Sequence, residues 1–187
     1  MNHLMIDLET MGNKPIAPII ALGAVLFEPS TGELGSEYYA VVDLESSLVR
    51  DAVADPSTIL WWMKQSAEAR AEIAGERRVH ITDALGELIK LIEDNCAAKN
   101  LQVWGNGATF DNVIMRASFE RHGLSCPWQF RNDRDVRTIV ELGRAVGFDP
   151  RYEIPFDGDL HNALADARHQ AKYVSAIWQR LVPTTSD

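Results

Sequence analysis

Cysteine is scarce in this chain. Cys96 and Cys126 are the only two in 187 residues, and no Cys-x-x-Cys or Cys/His cluster accompanies them. That excludes a disulfide framework and a zinc ribbon. No run of about 18 apolar residues offers a membrane span, and the opening residues lack the basic, apolar and small-residue segments of a secretory leader. The expected setting is therefore the cytoplasm, with no membrane partner. Positive charge is also short: 18 Lys and Arg stand against 27 Asp and Glu, a net charge of −9. Broad, non-specific adhesion to nucleic acid needs a basic surface and is disfavoured. What is present is ordinary for a globular protein, with 46% hydrophobic and 24% charged residues. Residues 1–182 are expected to form one domain, followed by a short tail over 183–187, with no internal repeat or linker.

The stretch His3 to Thr10 reads as a strand. Side chains alternate faces, so Leu4, Ile6 and Leu8 point into apolar packing while Asp7 and Glu9 share the opposite face. Two like charges side by side, partly removed from water, require protonation, a cationic partner or a metal. No Lys or Arg lies in the stretch, which makes a divalent cation the natural candidate. Ile19 to Phe27 and Ser36 to Val42 read as two further strands, joined by short connections into a meander that makes this half of the sheet antiparallel in part. A helix is expected from Asp55 through Trp61, Trp62 and Met63, continuing over Ala67 to Ile73. Another starts at Thr82 and carries Leu85, Leu88, Ile89 and Ile92 at helical spacing. Leu101 to Trp104 reads as a strand, Phe110 to Arg121 as a helix, Trp128 to Phe130 as a short strand and Val136 to Val146 as a helix. Gly147 to Gly158 is expected to be a loop, and the final helix to run from about His161 to Leu181.

Three more residues join the acid pair. Asp111 follows the loop Gly105 to Phe110 at a helix start, on the rim where the C-terminal ends of parallel strands converge and ligands bind. His161 and Asp166 sit five residues apart; on one helix they would be about 140° and about 7.5 Å apart. They converge only if His161 lies in the loop before the first full turn. Each of these residues has a plain alternative as a cap or hydrated surface group, so the constellation carries weight only jointly.

Jointly, Asp7-x-Glu9, Phe110-Asp111 and His161-x-x-x-x-Asp166 resemble the three motifs of the DEDDh 3′→5′ exonucleases, in the ribonuclease H-like superfamily with polymerase proofreading domains and ribonuclease T. Asn162 stands where the tyrosine branch has its Tyr, so His161 assigns the sequence to the histidine branch. The opening through Gly23, the Trp61-Trp62 pair and Asp135-Val136-Arg137-Thr138 resemble phage and bacterial proteins labelled exodeoxyribonuclease VIII and ribonuclease T-like exoribonucleases. The resemblance implies an α/β fold with a central mixed five-stranded sheet flanked by helices. It also implies two Mg²⁺ or Mn²⁺ held by Asp7, Glu9, Asp111 and Asp166, with His161 as general base. A single-stranded nucleic acid would lose mononucleotides from its 3′ end, with a lean toward DNA over RNA, and a homodimer is a further expectation. Thr10 and Met11 are candidates for contacting the terminal nucleotide and Trp61 for stacking on a base. Two adjacent helical residues face about 100° apart, so at most one of Trp61 and Trp62 is expected to be free. A nucleic-acid-binding protein that kept the fold and lost turnover is the rival reading.

Overall fold

The computed structural model describes residues 1–158 and 161–182; the expected tail over 183–187 lies outside the described residues. The strands are β1 (His3–Thr10), β2 (Ile19–Glu28), β3 (Glu33–Val41), β4 (Gln102–Gly105) and β5 (Asp133–Asp135). The helices are α1 (Leu44–Ser47), α2 (Pro56–Met63), α3 (Ala67–Ala74), α4 (Ile81–Asn95), α5 (Asp111–Arg121), α6 (Val136–Ala145), α7 (Pro150–Glu153) and α8 (Ala163–Leu181). The sheet order is β3-β2-β1-β4-β5. β1 is central, antiparallel to β2 and parallel to β4, and β4 is parallel to β5. This is the mixed sheet flanked by helices that the sequence predicts.

The alternation in β1 divides the core as expected. Leu4, Ile6 and Leu8 face a cluster built with Leu85, Leu88 and Ile92 of α4 and Ile114, Met115 and Phe119 of α5. Met5, on the other face, joins Val25, Phe27, Trp104, Val136, Ile139, Val174 and Ile177, which belong to β2, β4, α6 and α8. Helices thus cover both faces, which is why β2 is apolar almost throughout rather than alternating. Asp7 and Glu9 continue the row that Met5 begins, beneath the start of α8.

Several elements differ from expectation. Trp128–Phe130 is not a strand. Phe130–Asn132 is a 3₁₀ turn, and the edge strand is the polar Asp133–Asp135. Trp128 is buried edge-on to Phe119, its indole donating to Asp133 Oδ1 at 2.8 Å. A three-residue edge strand needs no apolar pattern, because backbone pairing to β4 holds it. The helix from Asp55 breaks after Met63, and Ser66 caps a new one through the Ala69 amide. His80, not Thr82, caps α4. The expected loop after Gly147 contains α7, capped by Asp149. His161 precedes the last helix, which starts at Ala163 behind an Asn162 cap.

One glycine sets how closely that helix approaches. Gly23 pairs directly with Asp7 across β1 and β2, and a Cβ there would overlap the Ala163 carbonyl and the Leu164 amide. Both obstacles are backbone and cannot rotate away. Gly23→Ala is therefore expected to cost about 1–3 kcal/mol, as overpacking does, lowering Tm by roughly 3–10 °C for a chain of this size. Thermal denaturation checks this, and an unchanged Tm would contradict the close approach.

Candidate active site

The C-terminal ends of the three parallel strands meet on one rim. β1 brings Asp7 and Glu9 to it, the loop after β4 brings Asp111, and α8 lays Asp166 over the same place. Asp7, Glu9 and Asp166 each offer a carboxylate oxygen, and the three oxygens lie within 4.8 Å of one another. Asp111 stands outside that triple but against it. It is 2% exposed, and its Oδ1 accepts the backbone N–H of Leu8, the residue between the two β1 acids, at 3.2 Å. The Asp111 carboxylate also faces the amides of Asn106 and of Asp111 itself. Phe110 occupies the cap position of α5, so Asp111 is the first helical residue, its carboxylate turned toward β1. Gly105 permits this, since a Cβ there would lie 2.8 Å from Asp111 Cβ.

His161 lies just outside α8 with φ +65, a left-handed conformation rare for a residue with a side chain. The Asp166 carboxylate feels both the side chain and the backbone of His161, so the two stand close despite the five-residue gap. The imidazole meets Trp61 edge-on at 5.1 Å between ring centroids and Trp62 at 6.1 Å. The two tryptophans divide as expected: Trp62 is 3% exposed and Trp61 43%. Trp62 anchors the rim by donating its indole N–H to the Thr10 carbonyl at 3.0 Å.

Thr10 is buried, and its hydroxyl donates to the Gly12 carbonyl at 2.6 Å, holding the turn after β1. Met11 is half-buried against Ile20, Trp62 and Ala69. Gln170 was not among the residues singled out from the sequence. It is buried on α8, and its Nε2 donates to Asp7 Oδ1 at 2.7 Å. Its signal was available, because Gln170 stands four residues after Asp166 and so on the same helical face.

Electrostatics follow from this crowding. Burial, then the carboxylates of Asp111, Asp166 and Glu9, push Asp7 well above the usual range, with the Gln170 amide opposing. Burial and the Asp166 and Asp111 charges raise Glu9 to about 8. Burial raises Asp111 to about 7, against the pull of the backbone amides and Arg137. Asp166 is raised by burial, partly offset by the His161 side chain and amide. These acids resist ionising together, and an all-carboxylate oxygen set is what a hard divalent cation such as Mg²⁺ or Mn²⁺ takes. The donor chemistry fits.

Fold and site together are those of an α/β protein of the ribonuclease H-like fold, with carboxylates gathered on the rim of a mixed sheet. The chain belongs to the Rv2179c-like 3′-5′ exoribonuclease domain family, whose model matches residues 2–178. It is 31% identical over 163 residues to an exodeoxyribonuclease of Enterobacteria phage T4, covering 75% of this chain and 71% of the phage protein. Among solved structures, the nuclease domain of 3′hExo, a DEDDh family member bound to rAMP, superposes with a TM-score of 0.56 at 16% identity, covering 96% of this chain and 91% of that one. E. coli Exonuclease I in complex with a dT13 oligonucleotide gives 0.65 at 16% identity, covering 95% of this chain and 41% of the larger enzyme. These two likenesses carry the fold. Among the described residues no helix is long and apolar enough to cross a membrane.

A pH dependence follows. An acid whose folded pKa is raised favours the fold when protonated, so its contribution is complete below about pH 4 and lost as pH rises through its folded value. In chelator, Tm is expected to fall between about pH 4 and 8, the span from unperturbed carboxylates to the value near 8 for Glu9. Millimolar Mn²⁺ at pH 8 should reverse the loss. At roughly 100-fold above Kd, binding adds about 2.7 kcal/mol, or roughly 5–10 °C here. Calorimetry with and without metal measures both, and a metal-insensitive Tm at pH 8 would contradict the shared site.

Proposed function

We propose that the rim hydrolyses the terminal phosphodiester bond at the 3′ end of a single-stranded nucleic acid and releases a nucleoside 5′-monophosphate. In this reading Asp7, Glu9, Asp111 and Asp166 hold two Mg²⁺ or Mn²⁺ ions, and His161 takes the proton of the attacking water. The observation that carries it is the carboxylate triple within 4.8 Å, with His161 packed on Trp61 and Trp62 beside it. Bound divalent ions supply a water of lowered pKa and stabilise charge on the phosphate and leaving oxygen.

The remaining work falls to the chain. The Gln170 amide fixes the rotation of the Asp7 carboxylate. The two indoles pack against the His161 ring and hold it at the rim. An imidazole nitrogen is a fit acceptor for the proton of an attacking water, which suits general-base work. Trp61, exposed beside His161, offers a face on which a terminal base can stack, worth about 1–3 kcal/mol. Met11 serves the same end from the β1 side, and Thr10 acts through the turn it holds. We take residues 1–182 as one exonuclease domain, because elements from both ends of the chain build one rim. The exposed Ile59, Leu60 and Met63 on α2 offer a surface for pairing two copies, which sedimentation at micromolar concentration checks. The free thiols Cys96 and Cys126 fit the reducing cytoplasm.

The family description points to RNA and the phage relative to DNA; the lean to DNA rests on the latter. A time course on matched DNA and RNA oligomers labelled at the 5′ end tests both. A ladder shortening one nucleotide at a time is expected, and the faster substrate names the sugar. Asp7→Ala and Asp166→Asn should abolish Mn²⁺-dependent mononucleotide release without unfolding the protein. His161→Ala should lose about 10²–10⁴-fold in kcat, the usual share of a general base, while keeping the Mn²⁺-induced rise in Tm. Full activity in Asp7→Ala would refute the site, and a wild type that binds strands without shortening them would favour the silent binding protein.

A further inference from the structure

The flank of the rim opposite His161 holds a cavity with no role in the chemistry above. It has a volume of about 360 Å³ and is lined by Asn106 of the β4–α5 loop, Arg137 and Val140 of α6, Pro150 of α7 and Tyr173 of α8. That size is in the range of small-molecule sites. It adjoins the acids directly. The Asn106 amide and the Arg137 charge both act on Asp111, and the Tyr173 phenol feels Asp7, Asp166 and Asp111.

Its cations are unequally engaged. Arg144 pairs with Glu141 and, at 3.1 Å, with Asp149, while Arg151 pairs with Asp149 at 2.7 Å. Arg137 forms no hydrogen bond or salt bridge to any of the described residues. Its guanidinium lies against Gly107, whose φ of +112 and missing side chain leave the space; a Cβ there would stand 3.3 Å from Arg137 Cζ. An exposed arginine thus lies on a glycine loop at the mouth of a cavity walled by Val140, Pro150, His169 and the Tyr173 ring, with the Glu141–Arg144 pair and Arg151 at its edge.

We propose that Arg137 binds the phosphodiester one nucleotide inward from the scissile bond, and that the cavity beside it receives the penultimate nucleoside. The inference rests on the exonuclease reading of the acid centre. A strand bound there has two sides. The terminal nucleotide, toward Met11, His161 and Trp61, carries no further phosphate, so a phosphate-binding cation is useful only on the other side. There a guanidinium can donate two N–H groups to phosphate oxygens, and apolar walls can cover a sugar and base.

The test measures binding by fluorescence anisotropy in the inert Asp166→Asn background, with labelled single-stranded decanucleotides of DNA and of RNA. Added Arg137→Ala should weaken decanucleotide binding about tenfold and flatten the plot of log Kd against log salt by about 0.7, the share of one phosphate on a single strand. Arg137→Lys should restore the slope. A nucleoside 5′-monophosphate, which carries only the terminal phosphate, should lose twofold or less. Equal losses for both ligands would put Arg137 at the scissile phosphate, and an unchanged slope would make it a solvated surface charge; either overturns the proposal. If a wild type inert on both oligomers still shows the Arg137 effect on binding, the catalytic reading fails and the subsite stands.

Discussion

Mutual repulsion among carboxylates is the constraint on which the rest of this molecule depends. Left to themselves, Asp7, Glu9, Asp111 and Asp166 would separate toward water. Here they converge because backbone leaves no alternative: β1 is locked between β2 and β4 at the centre of the sheet, and α8 is pressed onto β2 at Gly23. The apolar row of Leu4, Ile6 and Leu8 on the reverse face fixes the register, since a slip of one residue would turn the acids into the core and the leucines onto the rim. Burial of hydrocarbon on one side of a strand therefore holds charge together on the other.

The surrounding hydrogen bonds are arranged to make that convergence tolerable rather than to remove it. Asp7 has the Gln170 amide and Asp111 the Leu8 backbone N–H. Every partner is a neutral donor. A lysine or arginine inserted among the acids would neutralise them and leave nothing for a cation to do. Neutral donors orient the carboxylates while leaving their net charge uncompensated, so the driving force for taking up divalent ions survives folding. Arg137, whose charge acts on Asp111, stays against Gly107 and forms no hydrogen bond with the acids.

How much of this was legible in the sequence depended on how local its cause was. Period-two alternation placed Asp7 and Glu9 on one face, and strand-loop-helix order placed Asp111 on the rim. The helical angle between His161 and Asp166 allowed convergence if the histidine preceded the helix, and it does, although the helix was expected from about His161. Features with non-local causes were hidden. Gly23 sits in an apolar strand, and only the seating of α8 gives it a purpose. The strand Asp133–Asp135 is held by pairing with β4, so its polar sequence carried no β signal while the neighbouring aromatic Trp128 carried a misleading one. The break at Lys64 to Ser66 lies in residues that helices accept; it is decided by Ser66 capping α3 and by Trp62 being drawn into the rim. Gln170 was within reach, since the spacing that places it beneath Asp166 is the one used to recognise the helix.

If the proposed reading holds, the two flanks of the acid centre divide the substrate in a way that bears on direction. On one side His161, Trp61 and Met11 combine an imidazole with apolar and aromatic surface. On the other, Arg137 offers positive charge beside an apolar cavity. A 3′-terminal nucleotide has one phosphate, on its inner side, whereas every nucleotide behind it adds another. A site that gathers cation on one flank and aromatic surface on the other is complementary to a chain end entering in a single orientation. The overall negative charge of the protein sharpens the selection, because a strand laid elsewhere on the surface meets net repulsion. In the proposed reading attraction would then be confined to the rim, where divalent ions held by the acids and the Arg137 guanidinium would face the strand.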